Sequence, residues 1–127
     1  MPRYALLEHT GAPDDPSGCH FDLLLENGDY CRAWRLGRQP AVGESAQAAV
    51  ELAPHRLVWL TRRSAAVSGG RGWARSIAHG HYAGALPSDA QAPIRVQLLD
   101  GALAGQLHLE GGFCVLEGCT TPHGNAP

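Results

Sequence analysis

Residues 20–38, HFDLLLENGDYCRAWRLGR, contain two runs of alternating apolar and polar residues on either side of Asn27-Gly28. An Asn-Gly pair between two such runs is a strong signal for a two-residue turn, because both residues tolerate the positive φ angles that the turn requires. This stretch therefore predicts a β-hairpin, with one strand over residues 20–26 and the next over residues 29–36.

Other short strands follow along the chain. Asp100-Gly101 lies between two of them and predicts a second hairpin. Residues 39–54 are rich in alanine and ambiguous, and residues 44–52 are compatible with one or two helical turns. The strands predicted outside the first hairpin cover residues 3–9, 56–61, 94–99, 103–109 and 113–118.

Short strands with tight turns predict an all-β fold: a small closed or nearly closed β-barrel of about six to eight mostly antiparallel strands, with little helix. A chain of 127 residues is long enough for one domain with a single core. We expect this domain to cover residues 1–118 and residues 119–127 to form a loose C-terminal tail.

The composition narrows the class of protein. No apolar run approaches the roughly 20 residues that span a bilayer, and no secretory leader is recognisable, so the sequence predicts a soluble cytoplasmic protein. Without export, its cysteines are expected to be free thiols, and the absence of any CxxC pair argues against an all-cysteine zinc site. These cysteines are Cys19, Cys31, Cys114 and Cys119.

The basic side chains are concentrated in the middle of the chain, and all of them apart from histidine are arginines. Between Tyr30 and Ala85, only Glu44 and Glu51 oppose them. Arginine binds phosphate through paired hydrogen bonds, which would suit a nucleic-acid surface. A solvated face in a protein from a GC-rich genome explains the same composition equally well. The arginines concerned are Arg32, Arg35, Arg38, Arg56, Arg62, Arg63, Arg71 and Arg75.

Two polar side chains interrupt the leucine-rich strand at its start. On a strand, His20 and Asp22 share a face with Leu24, while Leu23 and Leu25 point to the opposite, core-facing side. A buried imidazole and carboxylate are costly unless they hold something.

The preceding predicted strand ends at His9, and a loop over residues 11–18 separates it from His20. If these two strands pair, His9, His20 and Asp22 converge as two imidazoles and one carboxylate, a set that suits Mn²⁺, Zn²⁺ or Fe²⁺ better than Ca²⁺. Taken singly, each histidine is more commonly an ordinary hydrogen-bonded residue. Cys19 or Asp15 could also replace one of the ligands in a different geometry.

The remaining histidines carry weaker signals. His55 follows Pro54 and could serve as a proton donor or phosphate ligand, or simply end a strand in solvent. His79 and His81 are expected to have structural or solvent roles, and His108 to face water. No role is assigned to His123.

The run from His20 to Arg38 resembles the 3′-phosphoesterase domain of bacterial end-joining DNA ligase D, whose motif reads roughly H-Y-D-F-R-L-E-x-x-G-x-x-x-S-W-A-V-P-K. YALLEH is similar to the family's strand ending in QxH, HRLVW to its HPLDY, and GHYAGA to its GxYGAG. The similarity covers most of residues 3–86 in the family's order, and the chain looks closest to short stand-alone relatives.

This resemblance implies a compact β-barrel that holds a divalent metal, Mn²⁺ before Zn²⁺, through His9, His20 and Asp22. It implies that His55 contacts the reacting phosphate as a catalytic and phosphate-binding residue, and that Arg38 helps to neutralise it. The implied reaction removes a terminal phosphate or ribonucleotide from nucleic-acid 3′ ends in DNA repair by non-homologous end joining. The implied partners are DNA 3′ ends, with or without a terminal ribonucleotide, and an end-joining ligase or polymerase.

Arg38 stands where the family has lysine, and the chain departs from the family at three further positions. Leu24 stands where the family has arginine, Leu7 where it has glutamine, and Trp59 where it has tyrosine. These departures leave two alternatives to a phosphoesterase: a non-catalytic, metal-stabilised barrel that binds nucleic-acid ends or a repair partner, and a barrel with no metal and another ligand. For a weak enzyme, we expect Leu24→Arg to restore a phosphate donor, unless Leu24 packs against apolar neighbours.

Overall fold

The computed structural model describes residues 1–118 as a single antiparallel sheet with one 3₁₀ helix, which confirms the all-β prediction. The helix covers Leu57–Leu60. The strands are β1 (Arg3–Thr10), β2 (Cys19–Asn27), β3 (Tyr30–Leu36), β4 (Gln47–His55), β5 (Ser64–Ala66), β6 (Trp73–Ala83), β7 (Ile94–Leu98), β8 (Gly105–Glu110) and β9 (Phe113–Glu117).

Eight of the strands form a nearly closed ring in the order β1-β2-β3-β4-β9-β8-β7-β6, because β6 pairs back onto β1. The short strand β5 pairs with β6 outside that ring. Two seams are narrow: β4 meets β9 only at Gln47 and Ala48, and β6 meets β7 only at Tyr82 and Ala83. The predicted barrel is therefore correct, with closure resting on the long β1–β6 ladder.

Apolar side chains cover both faces of the β1–β3 part of the sheet. Inside the ring, Leu23 and Leu25 of β2 join the main core, as the alternation predicted. Outside it, the 3₁₀ helix lies over a second apolar group, called here the outer cluster. Its buried members are Ala5, Leu7, Leu24, Cys31, Ala33, Leu60 and Ala74.

Three local predictions need correction. The first hairpin turns through Gly28 and Asp29, one residue later than predicted, and only Gly28 has a positive φ angle, of 70°. Residues 47–55 form β4 instead of helical turns, because the run pairs with β3 along most of its length and alternates buried and exposed residues at its start. Residues 57–60 form the 3₁₀ helix instead of a strand, with Leu57, Trp59 and Leu60 packed on the outer cluster.

Other predictions have mixed outcomes. Cys19, Cys31 and Cys114 are free thiols, as expected, while Cys119 and the predicted tail over residues 119–127 lie outside the described residues. Among the described residues, none of the helical segments has the length and apolar character needed to cross a membrane.

Candidate metal centre

The ends of β1 and β2 bring His9, His20 and Asp22, called here the trio, together on the outer face of the barrel. His9 and His20 are directly opposite each other in the ladder, and their ring centroids are 4.7 Å apart. Nδ1 of His9 lies 3.3 Å from Oδ2 of Asp22, and Nε2 of His20 lies 3.2 Å from Oδ1 of Asp22. The convergence predicted from the spacing is thus present in the structure.

The hydrogen bonds at the far side of each imidazole fix which ring nitrogen carries the proton. Nε2 of His9 lies 2.7 Å from the backbone carbonyl oxygen of Arg71, and Nδ1 of His20 lies 2.7 Å from Oδ2 of Asp15. Both oxygens can only accept, so these two nitrogens donate. In the neutral imidazoles, the other nitrogens, Nδ1 of His9 and Nε2 of His20, therefore present lone pairs toward Asp22.

Two nitrogen lone pairs aimed at a carboxylate repel it unless a cation lies between them. Nε2 of His20 and Oδ1 of Asp22 are buried and lack a hydrogen-bond partner among the described residues, despite their separation of 3.2 Å. Leaving such atoms unpaired costs about 1–3 kcal/mol each. Protonation of both imidazoles or a bound divalent ion would each relieve this repulsion.

The spacing of the three side chains suits a metal ion. Ligands held about 2.0–2.2 Å from one ion lie roughly 2.9–3.5 Å apart when they are adjacent. The contacts from His9 and His20 to Asp22, at 3.3 and 3.2 Å, fall within that range but reach different oxygens of the carboxylate. One ligand atom from each of the three residues lies within 4.8 Å of the other two, so a bound ion would draw the side chains slightly closer together. Imidazoles that donate their second nitrogen to a carbonyl or carboxylate are typical of metal ligands, because that bond fixes the ring orientation. The residues therefore fit a divalent ion.

The loop between β1 and β2 supports His20 through Asp15. Two hydrogen bonds from Ser17, through its hydroxyl and its backbone N–H, and one from His20 lower the pKa of Asp15 to about 2. Asp15 therefore remains an acceptor across the neutral range. Although Asp15 was a candidate ligand, it lies on the far side of the His20 ring from Asp22 and acts as a support.

The support for His9 comes from a distant segment that sequence reasoning missed. Gly72 has a φ angle of 94°, and a Cβ there would overlap the Thr10 carbonyl oxygen and the backbone of Gly11. This close approach brings the neighbouring Arg71 carbonyl onto His9. The SGGRG stretch signals a turn, but nothing in the sequence indicates which strand it contacts.

His55, at the end of β4, is the third imidazole beside Asp22. Its Nε2 lies 3.8 Å from Oδ2 of Asp22, while its Nδ1 donates to the Ala53 carbonyl oxygen at 3.0 Å. Burial acts to lower the pKa of His55, but the Asp22 carboxylate and the Ala53 carbonyl outweigh it and raise the pKa. The predicted phosphate-contacting histidine is therefore placed with the trio.

The pKa of Asp22 lies below its ordinary value. Burial acts to raise this pKa, and the interactions with His55, His20 and His9 lower it further than burial raises it. Asp22 is consequently anionic at neutral pH, as a metal ligand must be.

Arg38 is placed differently from the other predicted site residues. Its guanidinium donates to the Ser45 carbonyl oxygen at 2.7 Å and lies 3.8 Å from Oε2 of Glu44. These contacts direct it toward the β3–β4 loop and away from the trio.

Arg35, which sequence reasoning did not single out, lies directly opposite Asp22 in the β2–β3 ladder. Its NH2 atom is 3.3 Å from Oδ2 of Asp14, and its Nε is buried without a hydrogen-bond partner among the described residues. The structure thus places an arginine beside the trio, but not the one that the motif indicated.

The three further departures from the family pattern occupy apolar surroundings. Leu24 and Leu7 are almost completely buried in the outer cluster, and Trp59 packs against that cluster with Arg62 over its ring. Leu24 therefore has the packing role that was the alternative to a missing donor.

Two cavities of the barrel lie away from the trio. One of about 250 Å³ is lined by residues that include Arg32, Trp34 and Glu51, and one of about 460 Å³ shares Arg32 and Glu51 with it. Arg32 forms a paired hydrogen bond with Glu51 and lies over the Trp34 ring. None of the trio lines either cavity, so a ligand of the trio would bind at the outer surface.

Comparison with known proteins gives no assignment: no protein-family model matches the chain, and no curated protein is significantly similar to it.

Proposed function

We propose that this protein is a metal-dependent phosphoesterase that processes the 3′ ends of nucleic acid, removing a terminal phosphate or ribonucleotide. The observation that carries the proposal is the convergence of two imidazole nitrogens on one buried carboxylate at the outer face of the barrel. The order and spacing of these residues in the resembled 3′-phosphoesterase motif support the choice of substrate. The proposed partners are DNA 3′ ends and an end-joining ligase or polymerase.

In this proposal His9, His20 and Asp22 hold the metal, with Mn²⁺ preferred and Zn²⁺ as the alternative. A divalent ion at such a site polarises a phosphoryl oxygen and lowers the pKa of water. The Arg71 carbonyl and the Asp15 carboxylate keep the two imidazoles in the tautomers that leave their lone pairs free. The chain thus supplies a site whose ligands are oriented before anything binds.

His55 has the role of contacting the reacting phosphate. Its raised pKa increases the share of imidazolium at a given pH, and that form can donate from Nε2 to a phosphate oxygen or to the departing oxygen. In hydrolysis, water adds to phosphorus, the bond from phosphorus to the 3′ oxygen breaks, and this oxygen takes up a proton. Arg38 would have to leave Ser45 to assist in neutralising the phosphate.

A non-catalytic barrel that binds nucleic-acid ends or a repair partner is the second candidate. The burial of Leu24 and Leu7 favours it, since neither can donate to a phosphate. Losing one well-placed donor commonly costs about 10²–10³ in rate.

Metal uptake tests the site that both candidates share, and turnover distinguishes the two candidates. We expect purified protein to bind one Mn²⁺, measured by the electron paramagnetic resonance of free Mn²⁺, and His20→Ala to abolish binding. His108→Ala is the matched control, because His108 lies on β8 against Glu117. Full-occupancy metal binding by His20→Ala would remove the trio from the proposal.

The second measurement is release of phosphate from a 3′-phosphorylated primer-template in the presence of Mn²⁺. Turnover that His20→Ala and His55→Ala both eliminate would support the phosphoesterase. Metal binding without turnover would leave the binding module as the better account.

A further inference from the structure

Arg35 occupies a position from which it can act on a ligand of the trio. It lies directly opposite Asp22 in the β2–β3 ladder, and directly opposed residues share one face of the sheet. Two residues earlier on β3, Ala33 belongs to the outer cluster. Arg35 therefore extends the outer face at its polar end, where the metal ligands lie.

The contacts of Arg35 leave most of its hydrogen-bonding capacity unused. Its NH2 atom meets Oδ2 of Asp14 at 3.3 Å, while its Nε is buried without a partner among the described residues. Asp14 is 70% exposed and belongs to the same loop as Asp15. An arginine with a buried, unpaired Nε–H and a single ion pair to an exposed carboxylate can form stronger hydrogen bonds with another acceptor.

We propose that Arg35 is the phosphate-binding donor of this site and that Asp14 occupies its guanidinium until a phosphate displaces it. This inference rests on the proposed function, which requires a side chain that binds the phosphate, and it assigns that role to Arg35. Arginine presents Nε–H and a terminal N–H in a planar fork that matches two oxygens of a phosphate. The exposed Asp14 side chain can turn into solvent when the ligand arrives.

The charge around the site favours an anion once Asp14 has moved. A divalent ion and Arg35, set against Asp22 and Asp15, leave one net positive charge at the outer surface. A phosphate is therefore attracted electrostatically to the trio. It would bind Arg35 where the Asp14 carboxylate lies when no phosphate is bound.

The alternative is that Arg35 and Asp14 form a structural pair that fixes the loop holding Asp15. The two readings predict opposite effects for Asp14→Asn. A structural pair predicts that Asp14→Asn weakens metal and phosphate binding as Arg35→Gln does. Displacement by phosphate predicts that Asp14→Asn tightens phosphate binding, because it removes the competing carboxylate.

The test uses inorganic phosphate as the probe, with affinities measured by isothermal titration calorimetry on the full chain with and without stoichiometric Zn²⁺. The Nε–H resonance of Arg35 is followed in the wild type and in Asp14→Asn. We expect Arg35→Gln to lower phosphate affinity about tenfold or more, as loss of a charge-assisted hydrogen bond does. We expect the phosphate affinity of Arg35→Lys to fall between those of the wild type and Arg35→Gln. We expect Asp14→Asn to raise the phosphate affinity about two- to fivefold. Arg95→Gln is the matched control, since Arg95 pairs with Glu110 on β7 and β8.

Metal affinity is measured on the same variants, so that failure of this inference is distinguishable from failure of the proposed function. Unchanged phosphate affinity in Arg35→Gln, or a loss in Asp14→Asn, would overturn the role of Arg35 even if the metal binds. An effect in Arg38→Gln with none in Arg35→Gln would return the role to the motif's residue. Lack of metal binding would overturn the proposed function, and the arm without Zn²⁺ would still decide whether Arg35 binds phosphate.

Discussion

Replacing Leu24 by arginine, the change that would restore the family's residue, is expected to destabilise this protein instead of activating it. Leu24 is fully buried and lies in the outer cluster with Leu7, Ala33 and Leu60. Burial of a leucine side chain contributes about 2 kcal/mol. An arginine here would lose that contribution and bring a charge beneath the 3₁₀ helix.

We therefore expect Leu24→Arg to lower the free energy of unfolding by at least about 3 kcal/mol, from the lost burial and the cost of a poorly paired charge. Leu24→Ala, which only opens a cavity, is expected to cost about 2–4 kcal/mol. For a domain of this size, 1 kcal/mol corresponds to about 3–5 °C in melting temperature. The arginine variant should thus melt about 10–15 °C below the wild type.

The assay is urea and thermal unfolding of the metal-free protein, so that ligand linkage does not contribute. Val50→Arg is the matched control, because Val50 is 60% exposed on β4 and should change stability by no more than about 0.5 kcal/mol. Should Leu24→Arg fail to fold, Leu24→Ala still reports the packing. A Leu24→Arg protein that melts within about 2 °C of the wild type would refute the reasoning and show that this face admits a charged side chain.

Two further perturbations test the turn behind His9 and an ion pair near the other end of β2. Gly72→Ala should cost about 2 kcal/mol or more and weaken metal binding, because the new Cβ overlaps the Thr10 carbonyl oxygen and displaces the Arg71 carbonyl from His9. Gly70→Ala, with a φ angle of 69° and open space around its Cβ, should cost less and leave metal affinity unchanged, and equal effects would contradict this account. Separately, a paired hydrogen bond with Arg3 lowers the pKa of Glu26. This ion pair therefore stabilises the fold fully above about pH 4.5, and its contribution is lost as the pH falls through the lowered pKa. Glu26→Gln should therefore be about 0.5–1 kcal/mol less stable than the wild type at pH 7 and equally stable near pH 3, and a difference that persists in acid would contradict the assignment.

The trio was predictable because its geometry is local. β1 and β2 are consecutive strands joined by a short loop, and their pairing places His9 opposite His20 with Asp22 two residues further along. The residues that orient the imidazoles were harder to predict. Asp15 lies within the loop between β1 and β2, but Arg71 is 62 residues from His9 along the chain. The Arg71 carbonyl reaches His9 because β6, which begins two residues after Arg71, pairs with β1.

A one-residue error in the position of the hairpin turn gives Arg35 the wrong partner across the ladder. A turn at Asn27-Gly28 would place Asp22 opposite Ala33 and His20 opposite Arg35. The observed turn at Gly28-Asp29 places Arg35 opposite Asp22 instead. Both registers bury the same apolar residues, since they differ by a shift of two residues between partners, so hydrophobic alternation alone cannot choose between them. The choice depends on which residue adopts the positive φ angle, and here it is Gly28 alone.

The outer face of β2 divides into two halves with different roles, and this division explains how a metal site and a second apolar group coexist on one strand. Toward the start of β2, His20 contacts Asp15 in the loop between β1 and β2, and Asp22 lies beside His20; further along, Leu24 lies under the 3₁₀ helix. Because β2 pairs on both sides, the spacing between the two halves is fixed by the sheet and not by the loops. Substitutions in the outer cluster should therefore act first on stability, while substitutions in the loop should act first on ligand affinity. Measuring unfolding and metal binding on the same variants would show whether the two halves are separable, and a loop variant that loses stability without losing affinity would argue that they are not.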